Sequence, residues 1–154
     1  MKENIIFESN EKGKEFFRNG ELKFEGEYLN GKRNGKGKEY RIFDHMGELE
    51  YEGEYLFDKK WNGKGYDKEG NVLYELNNGK GKEYYNGKLE FEGEYLNGKR
   101  NGKGKEYNEY GKLIFEGEYL YGKRNGKGKE YYYDGRLLFE GEYLNGKKWN
   151  VAGS

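Results

Sequence analysis

Phe115-Glu-Gly-Glu-Tyr-Leu-Tyr-Gly-Lys-Arg-Asn-Gly-Lys-Gly-Lys-Glu-Tyr-Tyr-Tyr-Asp-Gly-Arg-Leu-Leu138 is the stretch whose periodicity decides the fold. Leu113, Phe115, Gly117 and Tyr119 share one face of an extended chain, and Glu116 and Glu118 share the other. That period of two is the signature of a half-buried strand. The following run, Gly126 to Tyr131, is too short and too rich in glycine for a helix, so it reads as the returning strand.

Outward from this unit the chain repeats itself, and repetition takes precedence over local propensity. The pentad Phe/Tyr-Glu-Gly-Glu-Tyr recurs at Phe24–Tyr28, Tyr51–Tyr55, Phe91–Tyr95, Phe115–Tyr119 and Phe139–Tyr143. Abbreviated copies start at Phe7 and Tyr74, which gives units starting near 7, 24, 51, 74, 91, 115 and 139. Residues 1–150 form one array, with 151–154 as a tail outside it. Asn19-Gly20, Asn86-Gly87 and Asp134-Gly135 suit tight hairpins whose two central residues need positive φ. Gly20, Gly47, Gly70, Gly87, Gly111 and Gly135 each stand four residues before the next aromatic opener and set its register. At the other edge, Asn30-Gly31 and Asn34-Gly35 bracket Lys32-Arg33 as a longer loop, which recurs at 97–102 and 121–126. The expected fold is all-β: an elongated single-layer antiparallel meander of tandem hairpins, with a lone strand Leu137–Leu144 at its end. Gly26, Gly37, Gly117 and Gly128 are expected to lie beneath aromatic rings.

The run Phe91-Glu-Gly-Glu-Tyr-Leu-Asn-Gly-Lys-Arg-Asn-Gly-Lys-Gly104 closely resembles the MORN motif, an aromatic-x-Gly-x-aromatic strand followed by a basic loop and Gly-x-Gly. After Gly-x-Gly this chain reads Lys-Glu-Tyr at 38–40, 105–107 and 129–131, which is partly similar to a bacterial variant of the motif. The resemblance implies a β-hairpin ribbon, self-association, and scaffolding or attachment near membranes or cytoskeleton. It implies no catalysis.

Composition agrees with a thin fold. Only 32% of the 154 residues are hydrophobic, but 18% are aromatic, including 17 Tyr, so rings supply much of the buried surface. Lys plus Arg equals Asp plus Glu at 29 each, which removes the long-range attraction that nucleic-acid binders use. The absence of Cys excludes a disulfide framework and points to an intracellular, cytoplasmic setting. Neither a secretory leader nor an apolar span is legible.

Catalytic chemistry finds little to work with. There is one His, His45, in an inter-repeat turn, and there are two Ser and no Thr. The paired glutamates Glu25/Glu27 and Glu92/Glu94 recur in every full repeat, so none is a distinguished acid-base pair; they read as cross-strand partners of Lys36, Lys38, Lys103 and Lys105. No catalytic, cofactor, metal or small-molecule site is expected.

Two surfaces compete as binding sites. The aromatic face carries Phe24, Tyr28, Tyr51, Tyr55, Phe91, Tyr95, Phe115, Tyr119, Phe139 and Tyr143, extended by Trp61 and Trp149, and would serve as thin core or as a groove for a protein or peptide. The basic loops Lys32-Arg33, Lys99-Arg100 and Lys123-Arg124 would project from one edge toward an anionic phospholipid surface. The leading expectation is a non-enzymatic scaffold for protein interaction or end-to-end homodimerisation through the unpaired edge of Leu137–Leu144. The alternatives are a phospholipid-bound adaptor and an accessory array of a larger, enzymatic chain.

Overall fold

In the computed structural model, which describes residues 10–149, every regular element is a strand. In chain order these are β1 (Glu11–Phe16), β2 (Leu22–Leu29), β3 (Lys32–Phe43), β4 (Met46–Leu56), β5 (Lys59–Tyr66), β6 (Val72–Asn77), β7 (Lys80–Tyr85), β8 (Lys88–Leu96), β9 (Lys99–Tyr107), β10 (Leu113–Leu120), β11 (Lys123–Tyr131), β12 (Leu137–Leu144) and β13 (Lys147–Trp149). They pair antiparallel, each with its neighbours in sequence, in one open 13-stranded meander. The all-β expectation is met. The unit expected to start near Phe7 opens outside the described residues.

Glycine faces glycine wherever the repeat pairs with itself: Gly26 with Gly37, Gly93 with Gly104, Gly117 with both Gly104 and Gly128. The missing side chains make room for rings. A Cβ on Gly37 would lie 2.6 Å from the Phe24 ring, and one on Gly128 would lie 2.7 Å from Phe115 and 2.9 Å from Tyr143. Phe24, Tyr51, Phe91 and Phe115 are wholly buried in this way, and Tyr55, Tyr119 and Tyr143 nearly so. The rings meet edge to face, as their quadrupoles favour: Phe115 with Tyr119 at 5.6 Å and with Tyr143 at 5.3 Å between centroids. The core forms two clusters, one around Phe24, Tyr51, Tyr55 and Leu76, the other around Phe91, Phe115, Tyr119 and Tyr143. Tyr95 packs against both.

The turns need correction at both edges. Asn86-Gly87 has the expected positive φ at both residues (49° and 74°), but at Asn19-Gly20 and Asp134-Gly135 only the glycine does. There Gly20 N–H bonds to Phe17 O and Phe17 N–H to Glu21 O, and the 132–136 turn repeats this pattern. These are three-residue connections closed by a left-handed glycine. Gly47 is not a turn residue: Asp44 and His45 take positive φ (49° and 63°), and Gly47 lies inside β4 opposite Ile42.

The expected long basic loop is a strand. Asn30-Gly31 alone makes the turn, with φ of 52° and 77°, and Leu29 already faces Lys32. Gly26 faces Gly37 and Tyr28 faces Arg33, so three residues of β3, Asn34 to Lys36, oppose Glu27 alone. This wide bulge, with Gly35 at φ 101°, recurs at Gly102 and Gly126 (both 105°). Trp61 shortens it: Tyr55 faces Lys60 and Gly53 faces Gly63, which leaves only Trp61 and Asn62 opposite Glu54.

The lone terminal strand is corrected too. β12 pairs with β13 through Glu142–Trp149, Tyr143–Lys148 and Leu144–Lys147, so its edge is partly covered.

Candidate functional site

The aromatic face is filled core. Arg33, Arg100 and Arg124, expected at loop tips, turn inward onto it. Their guanidinium carbons stand 4.1, 4.1 and 4.0 Å above the rings of Phe24, Phe91 and Phe115, and 5.6, 5.6 and 5.7 Å from Tyr55, Tyr119 and Tyr143. Desolvated stacking of this kind stabilises by about 2 kcal/mol. A glutamate two strands back, in the preceding unit, fixes each one. Arg33 Nε donates to Glu15 (2.8 Å), Arg100 Nε to Glu83 (2.7 Å) and Arg124 Nε to Glu106 (2.8 Å). Tyr28, Tyr95 and Tyr119 donate their hydroxyls to the same three carboxylates.

These contacts set the titration of the cluster. At Glu106, burial works to raise the pKa, but bonds from Arg124 and Tyr119 outweigh it and hold the carboxyl below its ordinary 4.5. Burial likewise opposes, and Lys60 and Arg33 reverse, the shift at Glu39, which is also lowered. Burial first, then the Glu15 carboxylate, pushes the Tyr28 hydroxyl up to about 12.

None of these glutamates was singled out from sequence. The constant offset from Arg33 to Glu39, Arg100 to Glu106 and Arg124 to Glu130 was the available signal. It was masked because charged residues on an inward face violate the apolar-in, polar-out pattern. Two copies depart from the rule. Lys60 replaces the arginine, bonding Glu39 at 2.9 Å and standing 5.1 Å from the Tyr51 ring. Lys148 does the same near Glu130 at 3.3 Å. In the first of these copies the Tyr55 hydroxyl is buried without a hydrogen-bond partner.

With the arginines inside, Lys32, Lys99 and Lys123 are the members of the three expected basic pairs that stay exposed. The tryptophans diverge as well. Trp61 lies against Gly79, 2.8 Å from where its Cβ would be, whereas Trp149 is exposed.

The open surface lies on the opposite face. Its central row alternates in charge strand by strand: Lys14, Glu25, Lys38, Glu52, Lys64, Glu75, Lys82, Glu92, Lys105, Glu116, Lys129, Glu140, each directly opposite the next. The ladder is loosely closed on itself, with contacts of 3.8 Å for Lys38–Glu52 and 3.9 Å for Lys129–Glu140 and these side chains about half exposed. Such exposed pairs contribute little to stability. Tyr40, Tyr107 and Tyr131 donate hydroxyls to Glu25, Glu92 and Glu116 at one rim. At the other rim, two positions beyond the outer glutamates, stand the exposed Leu56, Leu96, Leu120 and Leu144. Glycine backbone floors the trough, which has a larger stretch of about 1500 Å³ and a smaller one of about 1010 Å³. Among the described residues no cluster of His, Cys, Asp and Glu could hold a metal ion, and no helix is long and apolar enough to cross a membrane.

A family model for the MORN repeat matches residues 24–41, 91–108 and 115–135. No curated protein matches the chain. Each matched span begins at a buried phenylalanine and includes the Asn-Gly or Tyr-Gly turn, the wide bulge and the inward arginine. The chain thus carries three MORN repeats, set in one continuous sheet of tandem hairpins.

Proposed function

We propose that the chain is a non-catalytic scaffold that seats a charged α-helical segment of a partner protein in the Glu/Lys trough. The charge alternation of the trough supports this reading. Neighbouring strands lie about 4.8 Å apart, so opposite charges alternate along the ribbon at about that spacing. In a helix, residues three and four apart are separated by roughly 4.5 and 6 Å along the axis. A helix whose acids and bases alternate every three or four residues therefore meets the ladder in register, whereas an extended chain rising about 3.3 Å per residue does not. The leucine rim adds an apolar strip beside the charges, suited to a partner helix with an apolar stripe next to its charged one.

The test is a calorimetric titration with a synthetic helix of that pattern, against the same composition in scrambled order. The patterned peptide is expected to bind, to weaken as salt rises, and to be lost in Lys105→Glu/Lys129→Glu. Equal binding of both peptides, or binding untouched by that reversal, would refute the trough as the site. The inward arginines weigh against the phospholipid reading, because half of each expected basic pair is already committed to glutamate.

A further inference from the structure

We infer that the trough is two sites rather than one, each taking a charge-alternating helix, with the abbreviated unit holding them at a fixed separation. This rests on the trough being the binding surface. The smaller stretch is lined from β1 to β5 and the larger from β6 to β12, and the central ladder runs unbroken between them through Lys64 and Glu75, 4.0 Å apart.

What divides them is chemical. Alongside the central ladder runs an outer row nearer the Asn-Gly turns, and it too alternates: Lys12 faces Glu27, Lys36 faces Glu54, Lys80 faces Glu94, Lys103 faces Glu118 and Lys127 faces Glu142. At the junction that row loses its charge. Asn62 takes a lysine's place opposite Glu54, and Asn77 takes a glutamate's place opposite Lys80. A helix lying across the junction would set charged side chains against two amides, while one lying on either side would pair along both rows.

The junction is also braced. Tyr74 stacks on Tyr95 at 5.3 Å and 23°. Leu76 replaces the repeat's glycine and is buried in the first core cluster. Gly79 N–H bonds to Trp61 O at 3.0 Å, and Asn78 N–H bonds to Asn62 Oδ1 at 2.8 Å. The two sites are therefore separated by rigid packing and not by a linker, the arrangement that gives a bivalent partner its largest gain.

By strand spacing the sites run about 20 and 30 Å, so a helix of about fourteen residues, roughly 21 Å long, fills one site and cannot enter the larger one twice. The experiment is a stoichiometry measurement by native mass spectrometry and calorimetry with such a patterned peptide. Two peptides per chain are expected, falling to one in Lys36→Glu/Lys38→Glu and to one in Lys103→Glu/Lys105→Glu. Amide shifts mapped by NMR should respond near Gly26 and Gly37 only while the first pair is intact, and near Gly104 and Gly128 only while the second is. One peptide per chain, lost with either reversal, would overturn the two-site inference and leave the trough standing. No binding to the unaltered chain would overturn the trough and this inference together.

Discussion

Gly47 and Gly117 look alike in sequence, each serving a repeat, yet they carry opposite consequences. A Cβ on Gly117 would meet the Lys127 carbonyl at 2.6 Å and the Gly128 Cα at 2.7 Å, backbone that cannot step aside, whereas one on Gly47 meets nothing closer than 3.8 Å. Gly117→Ala is expected to cost about 3 kcal/mol by overpacking. Gly47→Ala should be neutral or stabilise by about 0.5 kcal/mol through the unfolded chain. Urea midpoints of the two variants decide it, and equal losses would refute the distinction. Arg124 gives a second pair. Its removal takes from Glu106 and Glu130 the guanidinium they share on the inner face, at a cost of about 3 kcal/mol, while its exposed neighbour Lys123→Ala should change stability by less than about 0.5 kcal/mol. If Lys123→Ala proved as damaging, the arginine would not be the inward residue. Sequence alone treats Lys123 and Arg124 as one basic pair, because nothing local shows which member of a dipeptide faces in.

The wide bulge is the element that converts a string of hairpins into an array. Its asparagine accepts the first N–H of the next turn: Asn34 from Phe57 at 3.1 Å, Asn62 from Asn78 at 2.8 Å, Asn125 from Asn145 at 3.1 Å. Beside it the backbone carbonyl of Arg33, Trp61, Arg100 or Arg124 accepts the turn's second N–H, from Asp58, Gly79, Gly122 and Gly146. These four turns are thereby stapled to the repeat before them. Asn125→Ala should cost about 1 kcal/mol. Hydrogen exchange should quicken at Asn145 and Gly146 while the Asn86-Gly87 turn is unaffected; unchanged protection at 145–146 would contradict the staple. Asn34-Gly35 looks in sequence like the far end of a loop, since a bulge and a loop share the same residue types and only pairing tells them apart.

Across the whole molecule, the glutamate-arginine-tyrosine clusters of the inner face and the tyrosine-glutamate pairs at the trough rim tie stability to pH at both extremes. Glu39 and Glu106 titrate below their ordinary 4.5 in the folded chain. The unfolded chain thus takes up protons first as pH falls, and the stability these carboxylates give, intact above about 4.5, is lost below it. Tyr28 and Tyr107 are raised from 10.0 to about 12, Tyr28 by burial and then the Glu15 carboxylate, Tyr107 by burial and then that of Glu92. Their contribution is complete below pH 10 and declines as pH rises through 12. Thermal midpoints should therefore be flat from about pH 5 to 10 and fall on either side. A main transition between pH 6 and 8 would show that other groups dominate.

The strand period, the repeat phase, the glycines under rings and the aromatic core are legible along the chain, because they are properties of neighbours or of one repeat laid on the next. The tertiary structure alone decided which charges are inside and which face is open. Arg33 and Glu15 stand eighteen residues apart in different units, and they meet only because β1, β2 and β3 lie side by side. The wide bulge settles where the arginine falls, by letting three residues oppose one before Gly26 and Gly37 resume pairing. With rings, arginines and their glutamates together filling one face, the charge-alternating ladder is left on the other. Cross-strand register, a long-range quantity, assembled that ladder from lysines and glutamates that look in sequence like a solvated surface.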